Sequence, residues 1–196
     1  MDKPYPIIII SGPSGAGEDS IINALKERLD IERVLTTTTR EKRPEESEGN
    51  PYYFLTKDKF EDLLAEDKMF EHAIQYDNYY GVTKEEIKRV RNSGKVGVLK
   101  LDLQGIQTLQ KRGDKGFVSI FVSAPVEQLE KRVRNRDGRS EEYIQDRMEY
   151  AKKWLKYKDI YDYQVENLDG KLDKAIEETE AIINNVLSLD KKGFIV

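Results

Sequence analysis

The apolar positions of this chain change period several times, and each change marks an element. Ile7-Ile8-Ile9-Ile10 is an unbroken apolar run, the pattern of a parallel strand covered on both faces. From Ser20 onward the spacing is helical, with Ile21, Leu25 and Leu29 recurring at i, i+4 and i+8. Between the two lies a glycine-rich turn, Ser11-Gly12-Pro13-Ser14-Gly15-Ala16-Gly17-Glu18-Asp19. Val34 to Arg40 is a β-branched run that predicts a strand ending in cations. Glu41 to Pro51 reads as a polar loop and Tyr52 to Leu55 as a short strand. Thr56 suits the N-cap of an amphipathic helix through Leu64. Phe70 to Ile74 and Tyr79 to Val82 predict two more strands around Tyr76-Asp77-Asn78.

Thr83-x-x-Glu86 has the spacing of a capping box, and Gly94 is a stop signal for the helix it opens. Val96 to Asp102 predicts a central strand, followed by a helix over Leu103–Arg112. Phe117 to Val122 is another buried strand, ended by Ala124-Pro125. Val126 to Arg134 is helical and basic, Asn135 to Gly138 reads as a turn, and Ser140 opens a long helix to about Tyr157. Tyr161 to Val165 predicts a last strand and Leu172 to Leu189 a closing helix. Strands that alternate with helices predict an α/β fold, a parallel sheet with helices on both faces. Residues 36–83 stand out from this alternation as a small β-rich insertion.

Composition narrows the class. At 196 residues the chain fits one domain with an elaboration. Hydrophobic residues are 38% and charged residues 36%, so the surface is highly charged without the composition of a disordered chain. A net charge of −4 gives no support to general nucleic-acid binding. The absence of cysteine excludes disulfides and thiolate metal sites and is compatible with a reducing cytosol. Ile7–Ile10 is too short to span a membrane, and Met1-Asp2-Lys3-Pro4 does not begin a secretory leader. These features predict a soluble cytoplasmic protein, with no nucleic-acid or membrane partner.

A strand, a glycine turn and a helix are the context in which G-x-x-x-x-G-K-[ST] cradles phosphate. Gly12, Gly15 and Gly17 let backbone N–H groups converge on an anion at the helix N-terminus, and Pro13, Ser14, Ala16 and Ser20 complete the loop. The lysine position, however, holds Glu18, and the Ser/Thr position holds Asp19. A carboxylate thus stands where phosphate charge is ordinarily neutralised.

Taken together, the segments resemble the guanylate kinase family of P-loop nucleoside-monophosphate kinases over almost the whole chain. The resemblance is carried by Ser-Gly-Pro-Ser-Gly-Ala-Gly at 11–17, Thr38-Thr39-Arg40-x-x-Arg43, and Glu71 with Asn78-Tyr79-Tyr80-Gly81. Leu101-Asp102-Leu103-Gln104-Gly105 and the arginine-rich segment 132–147 complete it. It implies a three-layer α/β/α P-loop core in three parts (1–35, 84–125 and 148–196), a GMP-binding insertion (36–83) and a helical lid (126–147). It also implies transfer of the ATP γ-phosphoryl group to GMP or dGMP with Mg²⁺, by a monomer or weak homodimer. By this resemblance Arg40, Arg43, Tyr52 and Tyr80 hold the acceptor phosphate, and guanidinium forks suit that task. Glu71 and Asp102 accept from the guanine N–H groups, with Thr36 and Glu46 at the same site. Arg132, Arg136 and Arg147 neutralise phosphates during transfer, and Asn167 lies beside the adenine. Where the family has Ser or Thr donating to guanine O6, this chain has Val82. A lost donor costs about 1–3 kcal/mol, so purine-monophosphate binding is better supported than strict guanine selectivity.

A second departure pairs with the first. The family's carboxylate two residues before Asp102 is here Lys100. Lys100 and Asp102 face the same side of a strand, at the sheet end where parallel α/β folds bind ligands. One reading is that Lys100 supplies the missing ammonium while Glu18 or Asp19 binds Mg²⁺ directly or through water, carboxylates being suitable ligands for that ion. The other is a Glu18–Lys100 salt bridge closing an inactive GMP-binding or protein-interaction domain.

Overall fold

The computed structural model describes residues 5–42, 46–75, 77–137 and 140–191. Its centre is β1 (Ile7–Ser11), flanked in a five-stranded, fully parallel sheet by four later strands. These are β2 (Ile31–Arg33), β8 (Val96–Lys100), β9 (Phe117–Ser123) and β10 (Tyr163–Glu166), in the order β10-β9-β1-β8-β2. The isoleucine run is apolar throughout because both of its faces are covered. Ile8 and Ile10 enter one cluster with residues of α1 (Glu18–Lys26), α5 (Val126–Asp137), α6 (Glu141–Leu155) and α7 (Leu172–Lys191). Ile7 and Ile9 enter another with residues of α3 (Lys84–Arg91) and α4 (Leu103–Arg112). The predicted α/β class and layering are therefore observed.

The insertion forms its own mixed sheet, β4-β5-β3-β7-β6. Its strands are β3 (Thr36–Thr38), β4 (Ser47–Glu48), β5 (Pro51–Phe54), β6 (Met69–Gln75) and β7 (Asn78–Thr83), with α2 (Lys57–Ala65) between β5 and β6. Phe70 of β6 stacks on Phe117 of β9 at 5.3 Å between centroids, joining the two sheets by an aromatic contact.

Three local expectations are corrected. The single strand expected over Val34–Arg40 is divided between two sheets. Val34 still donates from its N–H to the Val98 carbonyl (2.8 Å), but the Leu35 N–H goes to Glu86 Oε1 (2.8 Å), which ends the ladder. Of the turn expected over Asn135–Gly138, Asn135 to Asp137 form the last turn of α5, where Arg134 pairs with Glu130 one turn earlier and with Glu141 of α6, and Gly138 lies outside the described residues. Asp102, expected in the strand, is the N-cap of α4 and accepts from the Gly105 N–H at 2.8 Å.

The capping box at α3 is half formed. Thr83 Oγ1 accepts from the Glu86 N–H (3.1 Å), but the Glu86 carboxylate does not reach back. It is buried and receives Leu35 N–H together with Nε and Nη2 of Arg89, whose guanidinium also reaches Glu32 and the Arg33 carbonyl. Removing the carboxylate strands a buried N–H and an arginine. Glu86→Ala is expected to lower unfolding free energy by about 2 kcal/mol, read as a fall in the urea midpoint at unchanged m-value.

Candidate active site

One cleft of about 1160 Å³ lies at the C-terminal ends of the core strands, between the glycine loop, the second sheet and α6. The loop is bent by Gly15 and Gly17, at φ of 90° and 95°, conformations that suit glycine. A Cβ at Gly17 would also meet the amide nitrogen of Asn167 at 2.4 Å. The carbonyl of Pro13 accepts from the Ala16 N–H (2.9 Å), closing the turn. Ser14 Oγ accepts from Arg147 Nη1 at 3.0 Å, and Arg132 Nη1 donates to the Gly15 carbonyl at 3.1 Å.

The cleft brings together Gly12, Ser14, Gly15, Gly17, Glu18, Asp19 and Ser20 of the loop with Lys100, Arg132 and Arg147. It also gathers Thr36, Arg40, Glu46, Tyr52, Glu71, Tyr80 and Asp102 of the expected acceptor side. Four expected residues do not line it. Pro13 and Ala16 shape the loop from behind, and Ala16 is fully buried in the core. Val82 is fully buried in the apolar cluster that holds Leu101 and Ile106, since the end of β7 runs into the core. Asn167 is buried too; its side-chain Nδ2 donates to the Ala16 carbonyl (2.8 Å), and its backbone carbonyl accepts from Arg132 Nη2 (2.8 Å). The side-chain N–H thus braces the loop from behind. Arg43 lies outside the described residues, and Arg136 sits in the last turn of α5.

The charges at the mouth of the loop interlock. Lys100 Nζ lies 2.6 Å from Asp19 Oδ2 and 3.7 Å from Glu18 Oε1, while Arg33 Nη2 lies 2.8 Å from Asp19 Oδ1. Glu18 Oε2 accepts from the Gly17 N–H at 3.1 Å, so a carboxylate occupies part of the anion cradle. Burial raises the Glu18 carboxyl, and Lys100 only partly offsets this. Burial acts in the same direction on Asp19, but Lys100 and Arg33 outweigh it and bring that carboxyl down to about 2. Burial disfavours the Lys100 ammonium, yet Glu18 and Asp19 hold its pKa above the ordinary lysine value. Both oxygens of Asp19 are therefore engaged by cations, and Glu18 is engaged by Lys100 and the loop backbone. This donor set does not fit the direct Mg²⁺ site expected at Glu18 and Asp19.

On the acceptor side, Arg40 Nη2 donates to both oxygens of Glu46 (2.7 and 2.9 Å), and its guanidinium stands 5.6 Å from the Tyr52 ring centroid. The Tyr52 and Tyr80 rings meet edge to face at 6.3 Å. Deeper in, Glu71 is buried and its Oε2 has no hydrogen-bond partner among the described residues. A Cβ on Gly105 would come within 2.9 Å of that oxygen. Burial and the neighbouring Asp102 charge push the Glu71 carboxyl up to about 8.

A family model described as guanylate kinase matches residues 4–186. The chain belongs to the guanylate kinase family. A guanylate kinase of Rickettsia bellii is 39% identical over 179 residues, covering 90% of this chain and 92% of that protein. Rice guanylate kinase 2, chloroplastic/mitochondrial, is 36% identical over 184 residues; the match covers 92% of this chain but 65% of the rice protein. The crystal structure of guanylate kinase from Anaplasma phagocytophilum superposes with a TM-score of 0.73 at 27% identity, over 95% of this chain and 86% of that one. Family membership places the chain among the phosphotransferases and does not favour the inactive alternative.

Sequence reasoning missed Arg33 in this guanylate kinase family site. It took the strand to begin at Val34, whereas Ile31–Arg33 already pairs with β8. A cation at the C-terminal end of a parallel strand was the available signal. It also missed Tyr150, Lys153 and Trp154 of α6, whose helical spacing of three and four residues places them on one face of the cleft wall.

The raised Glu71 carboxyl has a stability consequence. A group whose folded pKa lies above its ordinary value stabilises the fold fully below 4.5 and loses that contribution as pH rises through about 8. The ligand-free protein is expected to lose melting temperature across this window, and Glu71→Gln to flatten the loss. A melting-temperature series from about pH 5 to about pH 9 reads both.

Proposed function

We propose that this chain transfers the γ-phosphoryl group of ATP to GMP or dGMP, with Lys100 acting in place of a phosphate-loop lysine. The observation that carries the reading is the Lys100 ammonium, 2.6 Å from Asp19 in the first turn of α1 and inside the cleft that also holds Arg40, Glu71 and Asp102. An ammonium there can serve the terminal phosphates from the strand side of the loop.

In this scheme the donor phosphates enter at the N-terminus of α1 and displace Glu18 from the Gly17 N–H. Lys100, Arg132 and Arg147, together with Arg136, place positive charge around the transferring group, which is most of what phosphoryl transfer asks of a protein. Arg40, Arg43, Tyr52 and Tyr80 hold the acceptor phosphate, and Glu46 releases Arg40 to it. Residues 36–83 form the acceptor module, and residues 126–147 close over the donor. Magnesium arrives as the nucleotide complex, since Asp19 and Glu18 are engaged by cations and backbone.

Glu71 and Asp102 take the guanine N–H donors, with Thr36 at the same end. A guanine N–H needs an acceptor, so GMP draws Glu71 into its ionised form. With its carboxyl near 8 in the ligand-free protein, GMP binding at neutral pH is expected to release a proton. Calorimetric binding enthalpies should therefore vary with the ionisation enthalpy of the buffer, and the variation should vanish in Glu71→Gln.

The activity is tested by a coupled assay with ATP, Mg²⁺ and GMP, with dGMP and AMP as alternative acceptors. Turnover with GMP and dGMP well above AMP is expected; no turnover at high enzyme concentration overturns the reading. Lys100→Met is expected to lower kcat by about 100-fold or more and leave GMP affinity within about twofold. A fully active Lys100→Met enzyme would show that Lys100 does not replace the lysine.

A further inference from the structure

Arg33 ends β2 and is not one of the residues through which the chain resembles its family. Its side chain is 12% exposed and lines the cleft. Its guanidinium makes one ion pair, from Nη2 to Asp19 Oδ1 at 2.8 Å, and that is its only side-chain hydrogen bond among the described residues. Half of a planar fork therefore remains for another acceptor, and such forks suit carboxylate or phosphate oxygens. Asp19 is shared, because its other oxygen accepts from Lys100 Nζ at 2.6 Å. Two cations thus meet on one carboxylate at the N-terminus of α1, where phosphate charge is to be received.

The strand order says which phosphate. β9 and β10 lie on one side of β1, with Asn167 and Arg132 near them, whereas β8 and β2 lie on the other side and β2 leads into the second sheet. Arg33 therefore stands at the acceptor-facing edge of the loop, beyond Lys100, which is the edge toward which a donor bound at the loop must point its terminal phosphate for transfer. The Arg33 backbone is held as well, its carbonyl accepting from Arg89 Nη2 at 3.1 Å. A chain segment fixed at its backbone and half used at its guanidinium is a prepared anion contact.

Resting on the proposed kinase reading, we infer that Arg33 is a phosphate-binding residue. Its open fork takes the terminal phosphate of a nucleoside triphosphate, while Asp19 keeps Arg33 and Lys100 aimed at it. The alternative role, neutralising Asp19 alone, makes a different prediction, because removing Asp19's charge would then make Arg33 dispensable.

The test measures binding by calorimetry, so it does not depend on turnover. The ligands are the non-hydrolysable imido analogue of ATP and ADP, and the proteins are wild type, Arg33→Met, Arg33→Lys and Arg33→Met with Asp19→Asn. Arg33→Met is expected to weaken the triphosphate by about tenfold or more and ADP by less than about twofold. Arg33→Lys should recover part of the loss, and adding Asp19→Asn should recover none of it. Unchanged triphosphate affinity in Arg33→Met, an equal loss for ADP, or restoration by Asp19→Asn would each overturn the inference. Far-ultraviolet dichroism and melting of each variant establish that it is folded. If wild type binds the analogue without catalysing transfer, the kinase reading fails while the assignment of Arg33 is still decided.

Discussion

The register of two parallel strands sets the position of everything in this cleft. Ile10 pairs with Lys100, so the residue that precedes the glycine turn by one position lies beside the last residue of β8. Both strands are anchored by apolar side chains on two faces, and a shift of one residue would turn Lys100 away from the loop and expose its neighbours. Ser11 pins the same level of the sheet by donating to the Leu101 carbonyl at 2.7 Å. Its hydroxyl also meets that of Tyr161, which in turn accepts from the Trp154 indole, so a buried polar chain ties β8, β1 and α6 together.

That register brings opposite charges together without a single conventional phosphate-loop residue at positions 18 and 19. A carboxylate pair in the first turn of α1 suits the helix dipole, and the cations come from the ends of neighbouring strands. The arrangement conserves charge balance while moving the positive groups from the loop to the sheet. It leaves the cleft with an ammonium and a guanidinium already held against the carboxylates of the first helical turn.

Much of the fold was legible because the two periodicities were clean. The isoleucine run, the helix over Leu103–Arg112 and the Ser140 N-cap could be read directly. What could not be read was the competition for single backbone groups. Nothing local to Val34-Leu35 says that Leu35 N–H will be claimed by a glutamate from α3, and that claim divides one expected strand between two sheets. The candidate site was legible where residue type and position carried the signal, as at Glu71, Arg40 and Lys100. It was not legible where a side chain had a second use. Asp102 caps a helix as well as facing the cleft, Asn167 props the loop, and Val82 belongs to the core.

The two passages of the chain between the sheets have a topological consequence. Leu35 leaves the core beside Glu86, and Thr83 returns as the N-cap of the helix that carries Glu86. Entry and exit are therefore gripped by the same turn of α3, and every ladder hydrogen bond of the core sheet is made by strands outside residues 36–83. The second sheet is thus an addition to a complete core ladder, fastened to it at the first turn of α3, by the Phe70–Phe117 stack and by the Arg112 hydrogen bond to the Phe70 carbonyl.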